Sequence, residues 1–452
     1  IEESPVEPGV IWTGANDGPV HVTRDGGQTW TDVTPPGMPP EGRVQTIDPS
    51  PHAGGKAYFA YYRTLLGDLT PFIYKTEDYG QTWTLLTPGD NGIPADYATR
   101  AVREDPEREG LLYAGTEFGM FVSFDDGQRW EKFQFNLPRT PITDIRVKEG
   151  DLVLSTMGRA FWVMDNLSPL RQADEAMAAG GAYFFQPEDA VRERRGFGGF
   201  GPTGPDEPQY SRPGAELDYM LPAGVESVTI EILDAAGQSV RSFESTGPGM
   251  TTERAQEMRA PFMRESGAAA PTTDEGLNRF VWDLTVPGPN GAARGGPMVV
   301  PGTFTARLTI DGAGFSVTER TFDVLMDPRV AADGVTLADL QAQFDLGIQI
   351  RTAIEDADAT IERLRGAQER VAEGTDVERE LKEIERELLT DETITSYPQP
   401  MLRDQLNYLY RNSQTADQEP GADMYERLDV LVTELEQHKE RLQRLIRMVT
   451  DQ

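Results

Sequence analysis

Thr23-Arg24-Asp25-Gly26-Gly27-Gln28-Thr29-Trp30 decides the fold, because it occurs three times. It returns as Thr76-Glu77-Asp78-Tyr79-Gly80-Gln81-Thr82-Trp83 and as Ser123-Phe124-Asp125-Asp126-Gly127-Gln128-Arg129-Trp130. A short motif at a period of about 40–50 residues marks a repeat architecture, and in an all-β chain that architecture is a propeller. Strand-like runs precede each copy (Val20-His21-Val22, Phe72-Ile73-Tyr74, Met120-Phe121-Val122), and further runs such as Thr82-Trp83-Thr84-Leu85-Leu86 follow. The motif therefore reads as a hairpin turn. Asp25, Asp78 and Asp125 accept backbone N–H groups of the turn. Gly27, Gly80 and Gly127 supply a backbone angle that a β-carbon forbids. Trp30, Trp83 and Trp130 leave the turn to bury a ring on the neighbouring sheet.

Ser-or-Thr, x, Asp, x, Gly, x, Thr, Trp resembles the Asp-box, the bacterial neuraminidase repeat of sialidases, xyloglucanases and sortilin. The resemblance implies a propeller fold and a structural role for the box, on the rim and away from a central pocket.

Around the boxes, residues 1–168 read as the last three to four blades of a propeller. Val44-Gln45-Thr46-Ile47 and Ile142-Thr143-Asp144-Ile145-Arg146-Val147 look like innermost strands, and the chain enters in the middle of a blade. A last partial blade, Asp151–Thr156 with Ala160–Asp165, has no box. So few blades do not close a ring. The expected partner is an upstream half or a separate chain that completes it.

Residues 169–213 read as a linker or wrap, with Ala182-Tyr183-Phe184-Phe185 as an anchor and a Gly/Pro/aromatic loop over 196–205. That loop suits an irregular packed segment better than a substrate loop. Residues 214–327 alternate with period two, and about seven short strands there predict an immunoglobulin-like sandwich with Trp282 in its core. Ile232–Gly237, Gly276–Asp283 and Pro301–Phe304 resemble the Ig-like module of the flagellar hook-capping protein. Residues 328–452 are helical. Thr336 with Asp339 caps a helix starting at Leu337. The last helix carries Met424, Leu428, Leu431, Leu435, His438, Leu442, Leu445 and Val449 at 4-3 spacing, a seam for an antiparallel bundle and a surface for oligomer contact. The fold class is multidomain and mainly β: partial propeller, sandwich, helical bundle.

That order resembles the C-terminal half of large secreted bacterial proteins described as sortilin-like or neuraminidase-repeat glycosyl hydrolases. The resemblance extends over essentially the whole chain and implies a secreted, periplasmic or cell-surface location. Ser155–Trp162 looks like that family's closing strand, with Met157 where the family commonly has His.

Composition narrows the chemistry. The net charge is −33, with a sequence pI near 4.4, which disfavours nucleic acid and anionic membranes as partners. With no Cys and only His21, His52 and His438, there is no thiolate site and no histidine-built metal site. Calcium held by turn oxygens would be structural, and no other cofactor is expected. No apolar run is long enough to insert in a membrane.

Two functions compete. One is non-catalytic capture of a peptide, protein or glycan, as the sortilin resemblance implies. The other is glycoside hydrolysis, which needs two carboxylates flanking the scissile bond. Glu117, Asp144 and Asp165 are the carboxylates near strand ends where a pocket could form, yet no spacing singles out a pair. Arg100, Arg103, Arg146 and Arg159 are scattered, unlike a sialidase arginine cluster. A structural role at the cell exterior is the third reading.

Overall fold

The computed structural model describes residues 1–194, 213–245, 270–293, 295–312, 314, 316–391 and 399–450. The Gly/Pro/aromatic loop over 196–205 lies outside the described residues, as does most of the stretch from 247 to 275. The chain divides into two compact units, Ile1–Glu175 and Ala176–Gln452. Among the described residues no helix is long and apolar enough to cross a membrane.

The first unit is four consecutive antiparallel sheets, each a meander, the arrangement of propeller blades. Blade one is β1 (Glu2–Glu3), β2 (Ile11–Gly14), β3 (Val20–Thr23) and β4 (Thr31–Asp32). Blade two is β5 (Arg43–Pro49), β6 (Ala57–Tyr62), β7 (Phe72–Thr76) and β8 (Thr84–Leu85). Blade three is β9 (Thr99–Glu104), β10 (Leu112–Thr116), β11 (Gly119–Ser123) and β12 (Glu131–Lys132). Blade four has three strands, β13 (Ile142–Lys148), β14 (Asp151–Thr156) and β15 (Phe161–Met164). The expectation that the chain enters in mid-blade is corrected: Glu2 and Glu3 pair with Trp12 and Ile11, giving blade one its own first strand. Two residues carry too little periodicity to show in the sequence.

Period-two alternation gives successive blades facing apolar sides, and three inter-blade cores result. Trp12, Val20 and Val22 of blade one meet Phe59, Tyr61, Phe72 and Tyr74 of blade two. The other face of blade two, Tyr58, Ala60 and Ile73, meets Val102, Leu112, Ala114 and Phe121. Tyr113, Met120 and Val122 of blade three then meet Ile145, Leu152 and Leu154.

The three repeated turns share one construction. Two successive residues have positive φ in each: Gly26 and Gly27 (69° and 92°), Tyr79 and Gly80 (59° and 81°), Asp126 and Gly127 (58° and 83°). Asp25 accepts from the Thr29 N–H at 2.9 Å and the Thr29 hydroxyl at 2.7 Å, and the Thr23 hydroxyl donates to it at 2.8 Å. Asp78 has the same partners in Thr82 and Thr76. Asp125 accepts from the Arg129 N–H and the Ser123 hydroxyl. These bonds, the Thr29 hydroxyl first, hold the Asp25 carboxyl down at about 2.

The tryptophans do not behave alike. Trp130 is 2% exposed and its indole N–H donates to the Leu86 carbonyl of blade two at 3.1 Å. Trp83 is half-buried, donates to the Val33 carbonyl of blade one at 2.7 Å, and packs edge-on against Trp12 and Phe59. Trp30 is 42% exposed, which corrects the expectation of burial for all three. Trp83 and Trp130 dock on the blade before their own, and Trp30 has no such neighbour among the described residues.

In the second unit, strands β16 (Tyr183–Phe184), β18 (Ala215–Leu221) and β21 (Gly276–Trp282) form one sheet. Strands β17 (Ala190–Arg192), β23 (Ser316–Met326), β22 (Gly302–Asp311), β19 (Ser227–Leu233) and β20 (Ser239–Glu244) form a second. One apolar core lies between them, with Trp282 fully buried. Two strands, β16 and β17, come from the stretch that reads as a wrap. Four helices share another core: α1 (Leu337–Gln368), α2 (Asp376–Leu388), α3 (Leu402–Ser413) and α4 (Ala422–Thr450). The α1 capping box of Thr336 and Asp339 is formed, and the α4 seam from Leu428 to Leu445 is buried, His438 included.

Candidate functional site

Antiparallel pairing fixes which residues share an end of the blades. Thr116 pairs with Thr99, so the β10–β11 turn carrying Glu117 lies beside the start of β9. Leu112 pairs with Ser123, so the box turn after β11 lies at the opposite end. The three boxes are therefore remote from Glu117 along the strand direction. Asp165 follows β15 at the box end as well, since Leu167 N–H bonds to the Gly150 carbonyl there.

At the other end, Glu117 is clamped. Arg100 Nε donates to it at 2.7 Å and the Tyr62 hydroxyl at 2.5 Å, and Arg100 also donates to Tyr62 at 2.8 Å. The guanidinium lies over the Tyr62 ring, 4.5 Å from its centroid. Burial, then the Glu117 hydrogen bond, pushes the Tyr62 phenol up. Beside this trio, Arg139 lies over the Phe118 ring, and Phe118 stacks edge-on with Tyr97. The β6–β7 loop adds Leu65, 90% exposed, and Leu66 and Leu69.

The innermost strands carry a second cluster. Arg103 of β9 ion-pairs with Asp48 of β5, reaches Asp144 of β13 at 3.5 Å, and donates through Nε to the Ile145 carbonyl at 3.0 Å. Arg146 pairs with Asp144 at 3.5 Å and with Glu2 of β1 at 3.0 Å. Charged groups from all four first strands are thus linked. Burial pushes the Asp48 carboxyl up to about 6, although Arg103 and the Glu104 N–H pull the other way. Desolvation wins because Asp48 is 4% exposed.

Between blades two and three lies a third group. Glu104 has a fully buried side chain and accepts from Lys56 Nζ at 2.8 Å, the Ser50 hydroxyl at 2.5 Å, the Tyr58 hydroxyl at 3.2 Å and the Gly110 N–H at 3.0 Å. Burial opposes the Lys56 charge, but Glu104, with Asp126 and Glu109, outweighs it and raises the pKa. With Ser50 and Glu104 both sealed from solvent, this network joins blades rather than meeting a substrate.

The structure thus brings Glu117 to Arg100, and Asp144 to Arg103 and Arg146, but sets Asp165 apart. Arg159 stands exposed in the β14–β15 turn. Each of Arg100, Arg103 and Arg146 is engaged by a carboxylate of this chain. Sequence reasoning missed Asp48, Tyr62 and the Lys56–Glu104 pair. Their only signal is a charge or phenol inside an otherwise apolar run, as with Lys56 just ahead of Ala57–Tyr62. Among the described residues no group of three or more His, Cys, Asp or Glu could hold a metal ion.

No protein-family model and no curated protein matches the sequence. Among solved structures, YCF48 bound to D1 peptide is similar at 17% identity and TM-score 0.26, over 36% of this chain and 53% of that one. The GH74 xyloglucanase from Xanthomonas campestris is similar at 14% identity and TM-score 0.26, over 66% of this chain and 51% of that one. The GH74 enzyme of Niastella koreensis is similar at 12% identity and TM-score 0.29, over 71% of this chain and 53% of that one. The chain spans about half the length of each of these structures.

Proposed function

We propose that the first unit is an Asp-box propeller segment that binds a peptide or protein without catalysis, at the blade end carrying Glu117. One observation carries this reading. Glu117, the candidate carboxylate best placed at that end, is neutralised by Arg100 and held by Tyr62. A glycosidase acid must instead be free to give its proton to a leaving group, opposite a second carboxylate. The same end offers exposed leucines, aromatic rings and guanidinium groups, which suit apolar and acidic side chains of a peptide. Selection of peptides from a displayed library on the full chain tests the proposal. Leu65→Asp with Leu66→Asp should weaken a selected peptide at least about tenfold, since one apolar anchor is worth about 1–3 kcal/mol. Failure to select any peptide, or binding indifferent to both changes, would count against it.

Glycoside hydrolysis is the second reading. Its support is the Asp48 carboxyl, raised as a general acid must be, with Asp144 across Arg103. Against it, Asp48 is nearly sealed from solvent. Secretion and the sortilin-like assignment belong to the same proposal.

A further inference from the structure

We infer that the outward face of blade one, centred on Trp30, is a docking surface for a further four-stranded β-blade from another stretch of polypeptide. The face is distinct from the end that carries Glu117.

The pattern comes from the two complete contacts in this chain. In each, three things coincide. The box tryptophan N–H bonds to the carbonyl of the residue just after the outermost strand of the preceding blade: Trp83 to Val33 after β4, Trp130 to Leu86 after β8. That residue's own N–H is tied back into its sheet, Val33 to Val20 and Leu86 to Ile73, so its carbonyl points outward. The second box glycine lies on its side chain. A β-carbon on Gly80 would sit 2.6 Å from Val33 Cβ, and one on Gly127 would sit 2.6 Å from Leu86 Cδ1.

Blade one repeats the tryptophan and glycine half of this contact but lacks the other half. Trp30 is 42% exposed, and a β-carbon on Gly27 would meet nothing nearer than the Trp30 ring itself at 3.9 Å. Ile11, Thr13 and His21, which alternate with the core residues Trp12, Val20 and Val22, present the rest of the face. What fits is a blade with an outermost strand followed by one apolar residue, as Val33, Leu86 and Phe133 follow β4, β8 and β12: its carbonyl takes the Trp30 N–H and its side chain sits on Gly27.

A second copy of this chain does not fit. Its free flank is blade four, which has three strands and no outermost strand to supply the carbonyl. That flank presents Phe161, 79% exposed, and Val163, 52% exposed.

The test appends a blade to the full chain. Residues 43–98, blade two with its connection, are fused ahead of Ile1; a second fusion carries residues 99–141 instead. Tryptophans are labelled with 5-fluorotryptophan, and the Trp30 resonance is assigned with Trp30→Phe. In the unfused chain its ¹⁹F shift should respond to exchange of H₂O for D₂O, whereas that of Trp130 should not. In a fusion the Trp30 response should fall to the Trp130 level and the melting temperature should rise, with the rise lost in the fused Trp30→Ala variant. A Trp30 response unchanged in both fusions overturns the inference. Protection of Trp30 that grows with concentration of the unfused chain also overturns it, because a second copy would then be the partner. Peptide capture at the Glu117 end is read separately and stands or falls without this result.

Discussion

The Trp83 indole N–H donates to the Val33 carbonyl at 2.7 Å, across the boundary between blades one and two. The turn motif is therefore a device for joining blades as much as for making hairpins. The second and third boxes each send one ring and one bare glycine onto the blade before them.

This predicts unequal costs for equal substitutions. Trp130→Ala removes a ring that is 2% exposed, and should cost about 3–5 kcal/mol. Trp30→Ala removes one that is 42% exposed, and should cost less than about 1 kcal/mol in the chain alone. Urea unfolding of both variants checks the ranking.

The buried Lys56–Glu104 pair should be costly to halve. Glu104→Gln leaves the ammonium with Glu109 at 3.2 Å and Asp126 at 3.7 Å, so the loss should be about 3 kcal/mol. Adding Lys56→Met should recover at least half of it, because the buried charge is then gone. Denaturant midpoints of the single and double variants decide this, and a double variant as unstable as the single would refute it.

Two carboxyls give opposite pH signatures. Asp48 is raised to about 6 from an ordinary 3.8, so the folded state holds its proton more tightly. Its favourable contribution is complete below about pH 4 and is lost as pH rises through about 6. Asp25 is lowered to about 2, so its contribution is present above about pH 4 and lost as pH falls through about 2. Carboxyl titration by NMR should place the two midpoints accordingly. The melting temperature of Asp48→Asn, relative to wild type, should climb between about pH 4 and pH 7, and Thr29→Val should move the Asp25 midpoint upward.

The blades were legible in the sequence because period-two alternation and a turn of fixed chemistry recur at Asp25, Asp78 and Asp125. The helices were legible because Thr336 and the 4-3 seam from Leu428 to Leu445 are local signals. The clusters were not. Arg103 meets Asp48 and Asp144 only because three first strands lie side by side, and their sequence separations carry no periodicity. Tyr62 and Arg100 frame Glu117 for the same reason. The exposure of Trp30 was equally hidden: its motif matches that of Trp83, and what differs is the neighbour.

The most direct measurement is turnover and capture by the same full-length preparation, wild type beside Glu117→Gln and Asp144→Asn. Aryl glycosides and polysaccharides serve as substrates, and a displayed peptide library serves as ligand. The binding reading predicts peptide capture and no glycoside turnover in any of the three proteins. Turnover by the wild type that disappears in Glu117→Gln or Asp144→Asn, with circular dichroism unchanged, would contradict it.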